Sequence, residues 1–305
     1  MAASSETTSS KHARCISLPS RSHPLTQRVE KQLCRLRSSS EATSYCSSSS
    51  LHQNLGCLTD LYDCIDELTQ LPHTQQALAH GRHDPWIEDV SDASLRLADA
   101  CGTTRDALSL MKEHLQDLQS ALRRRRGGEI GPEKEIARYL SSRKKMNKEI
   151  RNCLAELKRK GSKRPSSITL DGDHDDLVAT LSILKEVETV TVSTLESMLS
   201  FVSNPKTRSK ASGWSLFSRM VQTQRIACEE QALEMNEVEK VDMALSALVN
   251  HKSCKGNETK QVQIQDVQQW LEGLELSIKD LEEGLQCMFR RLIKSRVSLL
   301  NILSH

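Results

Sequence analysis

The basic residues in the middle of the chain are the ones whose type and spacing could bind a ligand. Residues 123–164 contain sixteen Lys and Arg against five Asp and Glu. Ammonium and guanidinium groups at this density attract carboxylates and phosphates. They indicate either a docking surface for anionic lipid, nucleic acid or an acidic partner, or an intramolecular contact with the acidic second half of the chain through weak surface ion pairs. The candidate docking residues are Arg123, Arg124, Arg125, Arg126, Lys144 and Lys145.

Nucleic acid is the least favoured of these ligands. The chain has only three Trp, three Tyr and three Phe, and Tyr139 is the only ring between residues 123 and 164. Proteins that bind single strands stack the bases on aromatic side chains. The overall charge is +2, so the chain as a whole is not drawn to polyanions either. We therefore do not expect a nucleic-acid partner.

Ser17 is the one residue of the first fifty with a recognisable chemical context. Arg14 stands three residues before it and Pro19 two residues after it. A basophilic kinase could phosphorylate a serine in this setting, and adaptors of the 14-3-3 type bind phosphoserine through clustered arginines. The pattern predicts Ser17 as a phosphorylation site and a phosphoserine-reading adaptor as one partner.

The residues that catalysis or metal binding requires do not form a pattern. The ten cysteines are scattered with no Cys-x-x-Cys pair, and neither Gly-x-Ser-x-Gly nor a glycine-rich phosphate loop is present. The acidic run at residues 171–176 lacks the Gly and Glu positions of a calcium loop. Cys57 and Cys64, on one face of a helix, are expected to be buried thiols. We predict a protein that is not an enzyme and has no metal or cofactor.

The last part of the chain carries the strongest periodicity. Apolar residues recur in alternating steps of four and three over five heptads, which predicts a coiled-coil seam or the spine of a helical bundle. Such a stripe pairs either with other helices of the same chain or with a partner, and a homo-oligomer is one such pairing. The stripe consists of Leu271, Leu274, Ile278, Leu281, Leu285 and Leu292.

Helical spacing also organises the rest of the chain. Apolar stripes run over residues 51–65, 108–122 and 136–157, and Arg143 occupies the one step of the third stripe that is not apolar. Leu71–Pro72 is expected to end a helix, residues 101–104 to break one with a fresh cap, and a further helix to run from Trp214 towards Val249. The fold class is all-α: an elongated bundle of long antiparallel helices.

The N-terminal residues 1–50 contain fifteen serines and few acids, which predicts a disordered, basic tail. Residues 51–305 form the helical domain, with a candidate subdivision near residues 161–170 and with Ser49 or Ser50 capping the first helix. No secretory signal or membrane span is evident, and scattered cysteines favour a reducing compartment. We expect a cytoplasmic location, with a membrane-peripheral one as the alternative. A plastid is less favoured because Glu6 comes early and no amphipathic, arginine-rich helix opens the chain.

Four blocks of sequence together resemble the plant-specific Bypass-related family, long described as a domain of unknown function. They are Ser-Leu-Pro-Ser-Arg-Ser-His-Pro at 17–24, Leu-Pro-His-Thr-Gln-Gln-Ala-Leu at 71–78, Ser-Leu-Arg-Leu-Ala-Asp-Ala-Cys-Gly at 94–102 and Leu-Gln-Ser-Ala-Leu-Arg-Arg-Arg at 118–125, with Trp86 between the second and third. The likeness runs from about Arg14 to the C-terminus and weakens after Gly161. It implies an all-helical plant protein linked to root and shoot development, without an assigned activity or site residues. Because residues 17–24 belong to the shared pattern, they are not expected to be merely a discarded presequence.

The sequence thus leads to two hypotheses of different class. The first is a non-enzymatic helical interaction or scaffold protein with an unidentified protein partner, which by the resemblance acts in plant root and shoot development. The alternative is a peripheral membrane adaptor that binds anionic lipid through the basic helix at residues 123–164.

Overall fold

The computed structural model describes residues 23–42, 46–81, 85–124, 133–161, 175–203, 235–250 and 257–304. All regular secondary structure in these ranges is α-helical, as predicted. The helices are α1 (Pro24–Ala42), α2 (Ser48–Thr69), α3 (Pro72–His80), α4 (Pro85–Arg124), α5 (Glu133–Gly161), α6 (Asp175–Ser203), α7 (Glu237–Asn250) and α8 (Asn257–Ser304).

Helix α1 lies inside the region that the sequence analysis assigned to a disordered tail. Val29, Leu33 and Leu36 recur in steps of four and three and are 0–4% exposed. They pack α1 onto α2 and α6. The high serine content of residues 1–50 masks this short stripe, so the folded domain begins earlier than residue 51. Residues 1–22 lie outside the described ranges, and the prediction of disorder stands untested there.

The start of α2 differs from the expected position by a few residues. The N-cap is Ser47, whose side chain accepts a hydrogen bond from the Ser50 backbone N–H, whereas Ser49 and Ser50 belong to the first turn. The helix ends at Thr69, just before Leu71–Pro72, as predicted. The short helix α3 was not predicted; it has Pro72 in its first turn, where a missing backbone N–H costs nothing.

Helix α4 is continuous through residues 101–104, so the break predicted there is wrong. The hydroxyls of Thr103 and Thr104 donate to the carbonyls of Asp99 and Ala100, four residues earlier, instead of capping a new helix. Cys101 and Thr104 are buried at 2% and 1% exposure. Packing of this turn in the core outweighs the weak helix propensity of Gly and Thr.

The bundle is built around α8, which packs along α2 and α4. Ser109 bonds Glu282 and Gln116 bonds Glu275, so α4 and α8 run antiparallel. Along α2 and α8 the residue numbers increase in the same direction, because Ser48 bonds Ser277 and Asp66 bonds Ser298. These two helices are therefore parallel neighbours within a bundle whose other contacts include antiparallel pairs.

The described residues on both sides of the candidate subdivision share one hydrophobic core. A single cluster runs from Val29 in α1 to Leu292 in α8 and includes residues of α5 and α6. Residues 162–174, which include most of the candidate subdivision at residues 161–170, lie outside the described ranges, as do residues 204–234. Of the helix predicted from Trp214 towards Val249, the end is observed as α7. Residues 235 and 236 are not helical and Asn236 caps α7, so the prediction of one helix over that whole span is wrong.

Candidate functional site

Helix α5 presents one face to the core and the opposite face to solvent. Ile136, Tyr139, Met146 and Ile150 are 0–4% exposed. Acidic residues, Glu133 and Glu135, occupy its first turn, where they stabilise the positive end of the helix dipole. The predicted stripe is confirmed for these positions, and it fixes which side of α5 is available for binding.

Arg143 fills the non-apolar step of the α5 stripe and is almost completely buried, with 2% of its side chain exposed. Its Nη2 donates to the Val202 carbonyl at 2.7 Å and to Oδ2 of Asp242 at 3.2 Å, while Tyr139 donates to Oδ1 of Asp242 at 3.2 Å. These bonds join α5 to the end of α6 and to α7. The guanidinium is committed to packing between helices and is not part of a docking surface.

Titratable groups around Arg143 are shifted by burial. Burial, followed by the charge of Asp242, raises the pKa of Tyr139 well above its usual value. Burial lowers the pKa of His114, with Arg143 acting in the same direction and Glu113 against it. Tyr139 therefore stays a neutral hydrogen-bond donor, and His114 favours its neutral form.

The start of α7 is fixed by reciprocal side-chain caps. The Asn236 side chain accepts from the Glu239 backbone N–H at 2.8 Å, and Glu239 accepts from the Asn236 N–H at 3.3 Å. Glu237 reaches α2, where it accepts from the Ser48 hydroxyl at 2.8 Å. These bonds hold Asp242 in place against Arg143. Asp242 was not among the residues predicted from the sequence, although it directly follows the buried Val241.

The outer side of α5 is a row of cations, which we call the α5 basic face. At 100° per residue the seven cations fall within an arc of about 140°, opposite the buried stripe. All seven are exposed. The α5 basic face consists of Lys134, Arg138, Lys144, Lys145, Lys148, Arg151 and Arg159.

Most of these cations lack an acidic partner among the described residues, unlike the cations that tie the helices of the bundle together. Arg123 pairs with Glu272 at 2.8 Å, and Lys294 pairs with Asp66 at 2.8 Å, which ties α4 and α2 to α8. Within the described ranges, no ion pair links a carboxylate to any cation in the central part of the face, and Arg138 pairs only with Glu135 on its own helix. The cations in the central part are Lys144, Lys145, Lys148 and Arg151.

The six cations singled out from the sequence differ in how they are used. Lys144 and Lys145 lie exposed on the α5 basic face, whereas Arg123 on α4 is paired with Glu272 of α8. Its bond to Glu272 fits the intramolecular interpretation of the basic segment, whereas Lys144 and Lys145 fit the docking interpretation. Arg124 is exposed; Arg125 and Arg126 lie outside the described ranges, as does Ser17.

The α8 stripe lies in the core of this chain. All six residues are 0–3% exposed and belong to the cluster that α8 forms with α2 and α4. Of the two pairings that the sequence allowed, the structure shows the intramolecular one for Leu271, Leu274, Ile278, Leu281, Leu285 and Leu292.

Other features of the described residues do not converge on a ligand. No group of three or more His, Cys, Asp or Glu in these ranges is arranged to hold a metal ion. Cys57 and Cys64 are buried free thiols, as expected. No helix in the described part of the chain is long and apolar enough to cross a membrane.

The chain matches the model of a known protein family. No curated protein and no solved structure is significantly similar to the chain. The model of one protein family, described as "Protein BPS1", matches residues 54–302, which is most of the chain and covers α2 to α8 apart from their ends. The family is linked to plant development. The chain therefore belongs to the BPS1 family, the Bypass-related plant family that the sequence blocks resembled.

Proposed function

We propose that this chain is a non-enzymatic helical interaction protein of plant root and shoot development, and that it binds its partner through the α5 basic face. The observation that carries the proposal is the contrast between cations. Arg123, Lys294 and Arg143 are used in contacts between helices, whereas Lys144, Lys145 and Lys148 are exposed and unpaired among the described residues.

The buried titratable groups support a structural role and not a catalytic one. Tyr62 bonds Thr191 at 3.0 Å, and Tyr139 and Arg143 converge on Asp242. Each of these bonds joins two helices inside the bundle. Polar groups used in this way specify the fold, whereas catalytic groups need access to a substrate.

The burial of the α8 stripe supports a partner other than a second copy bound through a coiled coil. Pairing through this stripe would require α8 to leave α2 and α4, and residues such as Ile278 and Leu281 would lose their present contacts. The proposed binding mode leaves the bundle intact. It therefore predicts a protein whose oligomeric state does not depend on the stripe.

Proximity labelling in plant tissue tests the proposal. The α5 triple variant carries Lys144→Gln, Lys145→Gln and Lys148→Gln. The control triple variant carries Lys31→Gln, Arg35→Gln and Lys185→Gln, three exposed cations of α1 and α6 with no ion pair among the described residues. Both variants change the net charge equally.

We expect the α5 triple variant to lose a set of labelled proteins that the wild-type chain and the control triple variant retain. Identical labelling by all three would contradict a role for the α5 basic face in binding. The adaptor that reads phosphorylated Ser17 stays a separate candidate partner, and Ser17→Ala in the same experiment would identify it.

A further inference from the structure

We propose that the partner of the α5 basic face is the anionic surface of a lipid bilayer, to which the folded bundle adsorbs without inserting any helix. This inference rests on the proposed function, since it uses the same face, and it names the partner. It begins from the shape and chemistry of the face, which together favour a fluid charged surface over a protein or a nucleic acid.

The face is long. From Lys134 to Arg159 it covers 25 residue steps, or about 38 Å at 1.5 Å per residue. A spacing of three or four residues keeps Lys145, Lys148 and neighbouring cations on one side of the helix. A bilayer with anionic lipids presents negative charge over such a length, and its lipid headgroups can move to meet each cation.

The face lacks the apolar anchors that stable protein interfaces use. The large exposed apolar residues among the described ones lie on α4, α6 and α8, namely Leu95, Val178, Leu276, Val297 and Leu300. Binding energy at protein interfaces concentrates in buried aromatic and apolar side chains surrounded by a polar rim. A row of cations without such an anchor is suited to long-range attraction instead.

The only aromatic ring on α5 is also withdrawn from the face. Tyr139 is 4% exposed, and its hydroxyl donates to Asp242 in the interior. It cannot stack on a nucleic-acid base without leaving the core, so the face offers single-stranded nucleic acid no stacking platform.

The buried stripe determines how α5 would meet the membrane. An amphipathic helix normally buries its apolar face among the acyl chains. Here Ile136, Met146 and Ile150 pack in the protein core, and Arg143 is held by Asp242 and Val202. The apolar face is unavailable, so attachment depends on charge alone and is sensitive to salt.

Acids beside α5 limit the width of the basic face. Glu113 and Asp117 on α4 are exposed and act on His114, which neighbours Arg143. On α5 itself three acids are exposed: Glu133 and Glu156 at the limits of the arc of cations, and Glu149 just outside it. Replacing Glu113 by Gln and Asp117 by Asn removes negative charge from the solvent side of α4, which packs against α5, and should strengthen adsorption.

Vesicle flotation with the full chain tests the inference. The vesicles are phosphatidylcholine alone or phosphatidylcholine with phosphatidylserine. Each basic residue near an anionic surface contributes roughly fivefold to partitioning, so the α5 triple variant should bind about 100-fold more weakly than wild type. The control triple variant should bind much as wild type does, and Glu113→Gln with Asp117→Asn should bind more tightly.

Two further measurements complete the test: binding at raised ionic strength and binding to duplex DNA. Raising the ionic strength should release the wild-type chain from the vesicles, and tryptophan fluorescence should show no blue shift on binding, since no apolar surface inserts. Equal binding to neutral vesicles, equal weakening by both triple variants, or tighter binding to duplex DNA than to phosphatidylserine vesicles would overturn the inference.

The two proposals fail differently. One outcome is that the wild-type chain does not bind phosphatidylserine vesicles while the α5 triple variant loses labelled proteins in tissue. In that case the proposal of a membrane partner is wrong, and the proposal that the α5 basic face binds a partner stands. If the α5 triple variant changes neither flotation nor labelling, both are wrong. Circular dichroism and thermal melting of each variant show that these differences do not come from unfolding.

Discussion

Arg143 in α5 donates through Nη2 to Oδ2 of Asp242 in α7, across 3.2 Å, with 2% of the arginine side chain exposed. Its Nη1 has no hydrogen-bond partner among the described residues. A buried cation held largely by one carboxylate makes that carboxylate the group on which the packing of α7 depends.

Replacing Asp242 should therefore destabilise the bundle strongly. In Asp242→Ala the guanidinium stays buried without its counter-charge, and we expect a loss of about 3–5 kcal/mol in the free energy of unfolding. Urea denaturation followed by circular dichroism measures this. The control is Asp280→Ala, an exposed acid on α8, which should change stability by less than about 0.5 kcal/mol. Equal effects of the two substitutions would show that the buried pair is not a special contact.

The α8 stripe should contribute to folding and not to oligomerisation. Leu281→Ala removes a fully buried side chain and should cost about 2–5 kcal/mol. Leu276→Ala, on the same helix but 63% exposed, should cost less than about 0.5 kcal/mol. Light scattering at several protein concentrations should give the same mass for both variants and for wild type. A stripe that joins two chains would instead make the mass of Leu281→Ala fall.

Two glycines test the continuity of α4 and the closeness of α2 and α8. An added Cβ at Gly102 meets nothing within 4 Å, so Gly102→Ala should stabilise the protein by about 0.5–1 kcal/mol through helix propensity. At Gly284 the Cβ would meet Cδ1 of Leu55 at 3.0 Å, and the same substitution should be neutral or destabilising. Thermal unfolding compares them. A destabilising Gly102→Ala would indicate that residues 101–104 do break the helix.

The thiol of Cys101 should be inert in the folded protein. Burial raises its pKa to about 12, and the side chain is 2% exposed. At pH 8 iodoacetamide should label the exposed Cys34 and Cys287 rapidly and Cys101 only after denaturation, as mass spectrometry of the peptides would show. Rapid labelling of Cys101 at pH 8 without denaturant would mean that this turn of α4 opens readily.

The same shift makes the fold sensitive to alkali. A raised pKa means that the folded state keeps the Cys101 proton after the unfolded state has released its own, near pH 9. Stability is then lost between about pH 9 and pH 12, by about 1.4 kcal/mol per pH unit for each such group. Tyr62, whose pKa is also raised by burial, adds a loss in the upper part of this range. Urea midpoints at pH 8 and pH 10 should differ accordingly.

The helices were predictable where a long apolar stripe determines their burial. The spacing of Ile136, Tyr139, Met146 and Ile150 gave the orientation of α5, and the five-heptad stripe gave α8. The errors arose where composition or propensity was used without tertiary context. Serine content concealed the three buried residues of α1, and Gly102 suggested a break that packing of Cys101 prevents.

The candidate surface was only partly predictable. Counting charges located the basic segment but not which cations are paired, because Arg123 meets Glu272 from 149 residues away. Arg143, counted among the cations, is buried against Asp242, while Lys148 and Arg151 complete the exposed face. Contacts between helices determine which cations are paired and which are exposed, and a single sequence does not show these contacts.

The position of α8 has a consequence for how the protein is made. Helices α2 and α4 emerge from the ribosome well before α8, yet Leu55, Leu58 and Leu115 are buried in a cluster that α8 completes. Until the last helix has been synthesised, these side chains have no permanent cover, and the nascent chain is open to aggregation and to chaperones. A ribosome that stalls before residue 257 would release a chain without its central helix.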